Sequence, residues 1–253
     1  MQIEDGAVRR LTFDRPDVRN AMTPEVATDL ADALEDVDPS EHDAVVLTGE
    51  GEAFCAGGDI QAMAEREESA GEAFEVIQET FGRAAEAILD APVPVIAKVN
   101  GDAVGAGTTL AALADFAYAA ESARFGASFV NVGLVPDTGA TVVLPRIVGL
   151  RTAKELAFTG KLLPAEEAAD LDLVSQAVPD EDLDDEVAGL VSTLQDQPTE
   201  TIALTKRAIH DNLGRSWEDG LDREAHLQVL AYDSDAHAEG VAAFLEGRNP
   251  NFD

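Results

Sequence analysis

The chain is poor in several residue types, and each shortage removes a class of function. A single cysteine, Cys55, stands among 253 residues, so no internal disulfide is available. Lysine occurs four times, as Lys98, Lys154, Lys161 and Lys206. With arginine it supplies 17 cations against 50 acids, a net charge of −33. Nucleic-acid binding needs clustered Lys and Arg to neutralise phosphates, so this field repels RNA and DNA. No apolar run is long enough to span a membrane, and no membrane partner is expected. The opening stretch MQIEDGAVRR lacks a basic start followed by an apolar run, so the expected compartment is the cytoplasm. The four histidines, His42, His210, His226 and His237, are scattered among polar residues and read as surface groups. They form neither a zinc motif nor a Ser-His triad, and no metal is expected. Cys55 has no base near it in sequence and reads as a small buried residue.

The acids are spread along the chain, and the densest run, DEDLDDE at 180–186, is short. A charge this large destabilises a compact chain by self-repulsion unless salt screens it. We read it as adaptation to a very salty cytoplasm.

What is present is a patterned 45% of hydrophobic residues, enough for a sizeable core. VRRLTF (8–13) alternates and predicts a strand; Thr23 then caps a helix with Pro24 first and one buried face. AVVLTG (44–49), VPVIAKVNG (93–101), ARFGAS (123–128) and LVSQAV (173–178) predict further strands. Helical patterns lie between them at about 60–66, 72–90 and 105–114, and helices dominate from about 138. The expectation is an α/β core over 1–195 with a C-terminal helical region over 196–253.

Two glycine turns carry the chemistry. FCAGGDI (54–60) follows a strand, and Asp59 is placed to cap the next helix. NGDAVGAGTTL (100–110) repeats the plan. Each leaves backbone N–H groups free at a helix N-terminus. One N–H from each turn, aimed at a single oxygen, makes an oxyanion hole, with roughly 3–4 kcal/mol per donor on a developing anion. Other glycine readings fail: FTGKLL (158–163) lacks the first glycine and the Ser/Thr of a P-loop, and GAG at 105–107 lacks dinucleotide spacing.

LTFDRPDVRNAM (11–22), FCAGGDI (54–60), VNGDAVGAG (99–107), FGASFVNVGLVPDTGAT (125–141) and GRNPNF (247–252) resemble, in order and spacing, the crotonase superfamily of enoyl-CoA hydratases and isomerases. The resemblance covers essentially the whole chain. It implies a spiral of ββα units, a helical C-terminal region that makes homotrimers or homohexamers, and acyl-CoA thioester substrates whose coenzyme A serves in place of any cofactor. It also implies that the hole is the N–H of Gly58 and of Ala106. Coenzyme A then lies along Arg19–Ala21 and Ala56–Ile60, including Asp59, with Arg248 and Lys206 reaching its phosphates from the helical tail of this chain or of a neighbouring subunit. Met63, Phe81, Phe129 and Leu134 are candidates for an apolar acyl pocket.

Two departures from the family matter. Its hydratases activate water with two glutamates, and at those positions this chain has Thr109 and Phe129, which cannot transfer a proton as a carboxylate does. Asp137, in GLVPDTGAT, falls instead on the loop that the resemblance places at the acyl end. Family members with PDTG there resemble isomerases, notably of the ring-1,2-epoxyphenylacetyl-CoA isomerase type. The expected reaction is an enoyl-CoA double-bond shift with Asp137 as proton shuttle, its pKa raised by desolvation. Alternatives are an enoyl-CoA hydratase acting by another route and a non-catalytic CoA-ester-binding protein.

Overall fold

The computed structural model describes residues 1–252. β1 (Gln2–Glu4) and β2 (Val8–Phe13) form an antiparallel pair. α1 (Pro24–Glu35) follows; the Thr23 side chain accepts from the Val26 N–H, and Pro24 opens the helix. Then come β3 (Ala44–Gly49), β4 (Ala53–Cys55), α2 (Ile60–Glu65), α3 (Ala70–Ile77) and α4 (Arg83–Asp90). The middle of the chain gives β5 (Val95–Val99), β6 (Asp102–Val104), α5 (Ala106–Leu113), β7 (Phe116–Ala120) and β8 (Arg124–Gly126). The remainder is α6 (Ala140–Ile147), α7 (Gly149–Thr159), β9 (Leu163–Pro164), α8 (Ala165–Asp170), β10 (Gln176–Val178), α9 (Leu183–Gln195), α10 (Thr199–Asn212), α11 (Trp217–Tyr232) and α12 (Asp235–Glu246).

One sheet runs β1-β2-β3-β5-β7-β10 and a second runs β4-β6-β8-β9. Three times the chain lays a strand in the large sheet, a strand in the small sheet, then a helix: β3–β4–α2, β5–β6–α5 and β7–β8–α6. That is the expected ββα spiral. Alternation along β3 explains why both faces of the large sheet are dry. Val45 and Leu47 join the cluster beneath α1, α4 and α5, while Ala44 and Val46 join the one covered by Leu183, Val187 and Val191 of α9. All eight residues of α5, AGTTLAAL, are buried. Their small side chains allow a helix to sit at the centre of the molecule.

The structure refines several expectations. Residues 8–13 and 44–49 are the strands β2 and β3. The stretch 93–101 shortens to β5, because the Asn100 side chain ends the ladder: its Oδ1 accepts from the Gly49 N–H at 3.1 Å. The helix expected over 72–90 is interrupted by a π-helical turn at Gln78–Gly82, where the Thr80 hydroxyl donates back to the Val76 carbonyl. β7 (FAYAA) was not anticipated, since its alanines favour helix; burial between β5 and β10 overrides that preference. His42 is not a surface histidine. It is 3% exposed, with Nε2 2.9 Å from Asp5 Oδ1 and Nδ1 accepting from the Asp38 N–H. The loop folds back through a His42 N–H to Asp38 carbonyl bond and brings the ring to Asp5, in the turn between β1 and β2. Among the described residues no helix is long and apolar enough to cross a membrane, and no cluster of His, Cys, Asp or Glu forms a metal site.

Candidate active site

The two glycine turns meet. Gly57 has φ +89, and a Cβ there would lie 2.7 Å from the Val104 carbonyl oxygen and 3.6 Å from the Ala106 nitrogen. A Cβ on Gly107 would overlap the Cys55 carbonyl. Only glycine permits this approach, and it brings the end of β4 against the start of α5. Asp59 caps α2, accepting from the N–H groups of Gln61 and Ala62 at 3.0 and 3.2 Å. Ala106 opens α5 and is buried. Neither the Gly58 N–H nor the Ala106 N–H has an acceptor among the described residues. Ala106 is buried and Gly58 half-buried, and two unpaired donors in adjoining turns suit an anionic oxygen.

The segment Arg19–Met22 runs along the first turn. The Ala56 N–H donates to the Arg19 carbonyl, the Met22 N–H to the Gly57 carbonyl, and the Asp59 N–H to the Met22 carbonyl. The two stretches expected along coenzyme A are therefore neighbours, with Ala21 buried, Ala56 half-buried and Ile60 exposed at their edge. Met63 reaches back over Gly58, its methyl occupying the space a Cβ on Gly58 would need. Asp59 does not present its carboxylate to a phosphate: besides capping α2 it is paired with Arg15 at 2.8 Å, and these bonds hold its pKa low.

Thr109 is wholly buried and its hydroxyl donates to the Gly105 carbonyl at 3.2 Å. Phe129 is buried, its ring 3.8 Å from where a Gly105 Cβ would stand. Phe129 thus borders the second turn with an apolar face. The chain continues from Phe129 through an exposed Leu134 to Asp137, just ahead of α6. Asp137 is half-buried. Burial pushes its carboxyl above the usual range, against a lowering hydrogen bond from the Thr138 hydroxyl at 2.9 Å. Thr138 itself has φ +54, a strained value for a β-branched residue. The Asp137 carbonyl accepts from the Ala140 N–H, which ties the loop to α6, and Gly139 packs beside Leu113 of α5, the helix that carries Ala106.

One expectation about cations needs correction. Lys206 is buried, 2.7 Å from Asp115 Oδ2 and also donating to the Ile88 and Val93 carbonyls. Every ammonium hydrogen has an acceptor inside the chain, so none is free for a phosphate. Arg248 is paired with Glu239 and Glu246 on α12, and within this chain it does not join the glycine turns. Cys55 is buried and desolvation pushes its thiol up to about 12, which suits packing rather than reaction. Asp102 and Arg124 were not singled out from the sequence, yet they lie against these turns. The available signal was an aspartate inside the small-residue run NGDAVGAG.

A family model described as enoyl-CoA hydratase/isomerase matches residues 4–253. The chain is 39% identical to a Rhodobacter capsulatus protein named "Probable enoyl-CoA hydratase", over 96% of this chain and 93% of that one. It is 37% identical to the 1,2-epoxyphenylacetyl-CoA isomerase of Escherichia coli, over 99% and 96%. Its fold matches the crystal structure of an enoyl-CoA hydratase from Mycobacterium smegmatis with a TM-score of 0.93 at 33% identity, covering 99% of this chain and 98% of that one.

Proposed function

The chain belongs to the enoyl-CoA hydratase/isomerase family, and from that premise we propose that it is an enoyl-CoA double-bond isomerase with Asp137 as its proton shuttle. One observation carries this reading. Where water-activating carboxylates would stand, the chain has Thr109, tied to its own backbone, and Phe129, an apolar ring beside the second turn. The carboxylate is on the adjoining loop instead, and its burial makes it a stronger base than an ordinary aspartate.

The chemistry needs one carboxylate. In a 3-enoyl thioester the C2 hydrogens are acidic because their loss gives a dienolate. Asp137 takes the C2 proton, and the C2–H electron pair delocalises onto the thioester oxygen. The N–H groups of Gly58 and Ala106 bind that oxyanion. Asp137 then returns the proton at C4, leaving the double bond between C2 and C3. No second acid, bound water or cofactor beyond the coenzyme A of the substrate takes part. We assign Arg19, Ala21, Ala56 and Ile60 to the coenzyme A path, and Met63, Phe129 and Leu134 to the acyl end. The helical region is read as the interface of a homotrimer or homohexamer, in keeping with the exposed Trp217, Phe244 and Leu245.

A second reading is an enoyl-CoA hydratase, supported by the name of the Rhodobacter relative. A paired assay in molar KCl separates the two. Wild type and Asp137→Asn are offered a 3-enoyl-CoA and a 2-enoyl-CoA, and product double-bond position and hydroxyl content are read by NMR and mass spectrometry. The isomerase reading expects shifted double bonds, slowed about 10²–10⁴-fold in the variant. Formation of 3-hydroxyacyl-CoA by an unimpaired variant would establish the hydratase instead.

A further inference from the structure

Asp102 begins β6 four residues before the oxyanion donor Ala106, and its side chain is only 10% exposed. Two arginines from distant parts of the chain converge on it. Arg124, at the start of β8, binds both oxygens, with Nε 2.9 Å from Oδ1 and Nη2 2.6 Å from Oδ2. Arg19 Nη2 lies 2.6 Å from Oδ2. Each arginine continues into a donor turn. Arg19 accepts from the Ala56 N–H through its carbonyl, next to the turn that presents Gly58. Two residues past Arg124, Gly126 accepts from the Gly105 N–H at 2.7 Å and donates to the Thr108 hydroxyl at 2.9 Å. One carboxylate is thus linked to both halves of the hole.

The Arg19 backbone is also held under tension. Arg19 and Asn20 have φ of +54 and +57, values non-glycine residues rarely adopt. The Asn20 side chain locks them there. Its Nδ2 donates to the Glu50 and Ala53 carbonyls, and its Oδ1 accepts from the Arg15 N–H. A segment fixed this firmly transmits the position of Asp102 to the first turn. The β4–β6 pairing, Ala53 with Asp102 and Cys55 with Ala103, joins the strands that lead into the two turns, and the Asp102 ion pairs add the side-chain tie at the edge of that ladder.

We infer that Asp102 is a positioning residue: through Arg19 and Arg124 it sets the separation of the Gly58 and Ala106 N–H groups. The inference rests on the oxyanion-hole reading above. Catalysis by such donors requires them to meet the oxygen at 2.7–3.1 Å, so a small spreading of the turns weakens the transition state more than ground-state binding.

The test uses the intact protein in molar KCl with cinnamoyl-CoA, whose long-wavelength absorption moves to the red when its thioester carbonyl is polarised. The variants are Asp102→Asn, Arg19→Gln and Arg124→Gln. For Asp102→Asn, Arg19→Gln and Arg124→Gln the red shift of bound probe should shrink. Turnover of an enoyl-CoA should fall by about 10–100-fold, and in Asp102→Asn and Arg124→Gln, which lie off the coenzyme A path, KM should move by less than about threefold. Arg19→Lys, which keeps one charge on Asp102, should recover part of the red shift. A wild-type red shift that all variants keep, with unchanged turnover and only a lowered melting temperature, would overturn the inference and leave the hole intact. Absence of any red shift in the wild type would overturn the hole reading and this inference with it. Should Asp102→Asn not fold, Arg124→Gln decides by the same criteria, because it removes an exposed guanidinium and leaves Asp102 paired with Arg19.

Discussion

Replacing Lys206 by methionine tests the clamp that holds α10 to the core. Methionine keeps the length and apolar contacts of the side chain and removes only the ammonium. That ammonium satisfies Asp115 Oδ2 at 2.7 Å, the Ile88 carbonyl at 2.8 Å and the Val93 carbonyl at 3.4 Å. Burial pulls the Lys206 pKa below its usual value while Asp115 holds it up, as expected for a cation kept charged by its partner. Removing one member of a buried pair costs about 3–5 kcal/mol, because the other charge is stranded. Asp115 is 18% exposed and keeps the Val95 N–H at 2.8 Å, so the lower end, about 3 kcal/mol, is expected. For a chain of this size that is a fall in Tm of about 6–12 °C. The assay is a thermal melt in molar KCl at fixed protein concentration, with KM for an acyl-CoA measured well below the transition. The double variant Lys206→Met/Asp115→Asn should recover part of the loss by removing the stranded charge. An unchanged Tm with a KM raised about tenfold would refute the clamp and return Lys206 to the coenzyme A phosphates.

Asp137 should lower stability where it is ionised. Its folded pKa is raised above the usual 3.8, so the folded state holds more protons between those values and stability falls as pH rises through that window. Asparagine mimics the neutral acid. Asp137→Asn should therefore be more stable than wild type at neutral pH and converge with it as pH drops toward 3.8, as read by denaturant unfolding; an unchanged midpoint at neutral pH would contradict this. The net charge of −33 gives a salt prediction. Raising KCl from 0.1 to 1 M shortens the screening length from about 10 to 3 Å, and the melting temperature should climb with it. A flat response would remove the reading of the charge as adaptation to salt.

Much of the fold was legible because its signals are local. β3 reads as a strand from six residues, AVVLTG, and α1 from Thr23, Pro24 and one apolar face. What escaped was decided by burial. FAYAA carries alanines that suit a helix, and only its place between β5 and β10 makes it a strand. His42 sits in SEHD, as polar a setting as any, and is buried because the loop from Asp38 closes over it. The π-helical turn at Gln78–Gly82 leaves the hydrophobic pattern on either side intact, so periodicity did not reveal it.

The site divides in the same way. The unpaired backbone N–H groups of the two turns were readable, because a strand running through AGGD or VGAG into a helix leaves the first N–H groups of that helix without partners. The charged side chains were not. Lys206 lies 91 residues from Asp115, and Arg19 lies 83 from Asp102. At such separations the sequence offers no basis for choosing partners among 50 acids. A chain this acidic makes each cation a scarce partner, and the structure places Arg19, Arg124 and Lys206 on carboxylates that are themselves largely buried. Exposed pairs are weakened by salt, whereas Lys206 and Asp115, at 6% and 18% exposure, are shielded from it. Concentrating two of those cations on Asp102 suits a site whose donors are backbone groups: such donors cannot be repositioned by a rotamer, and their aim depends on how rigidly the turns are held.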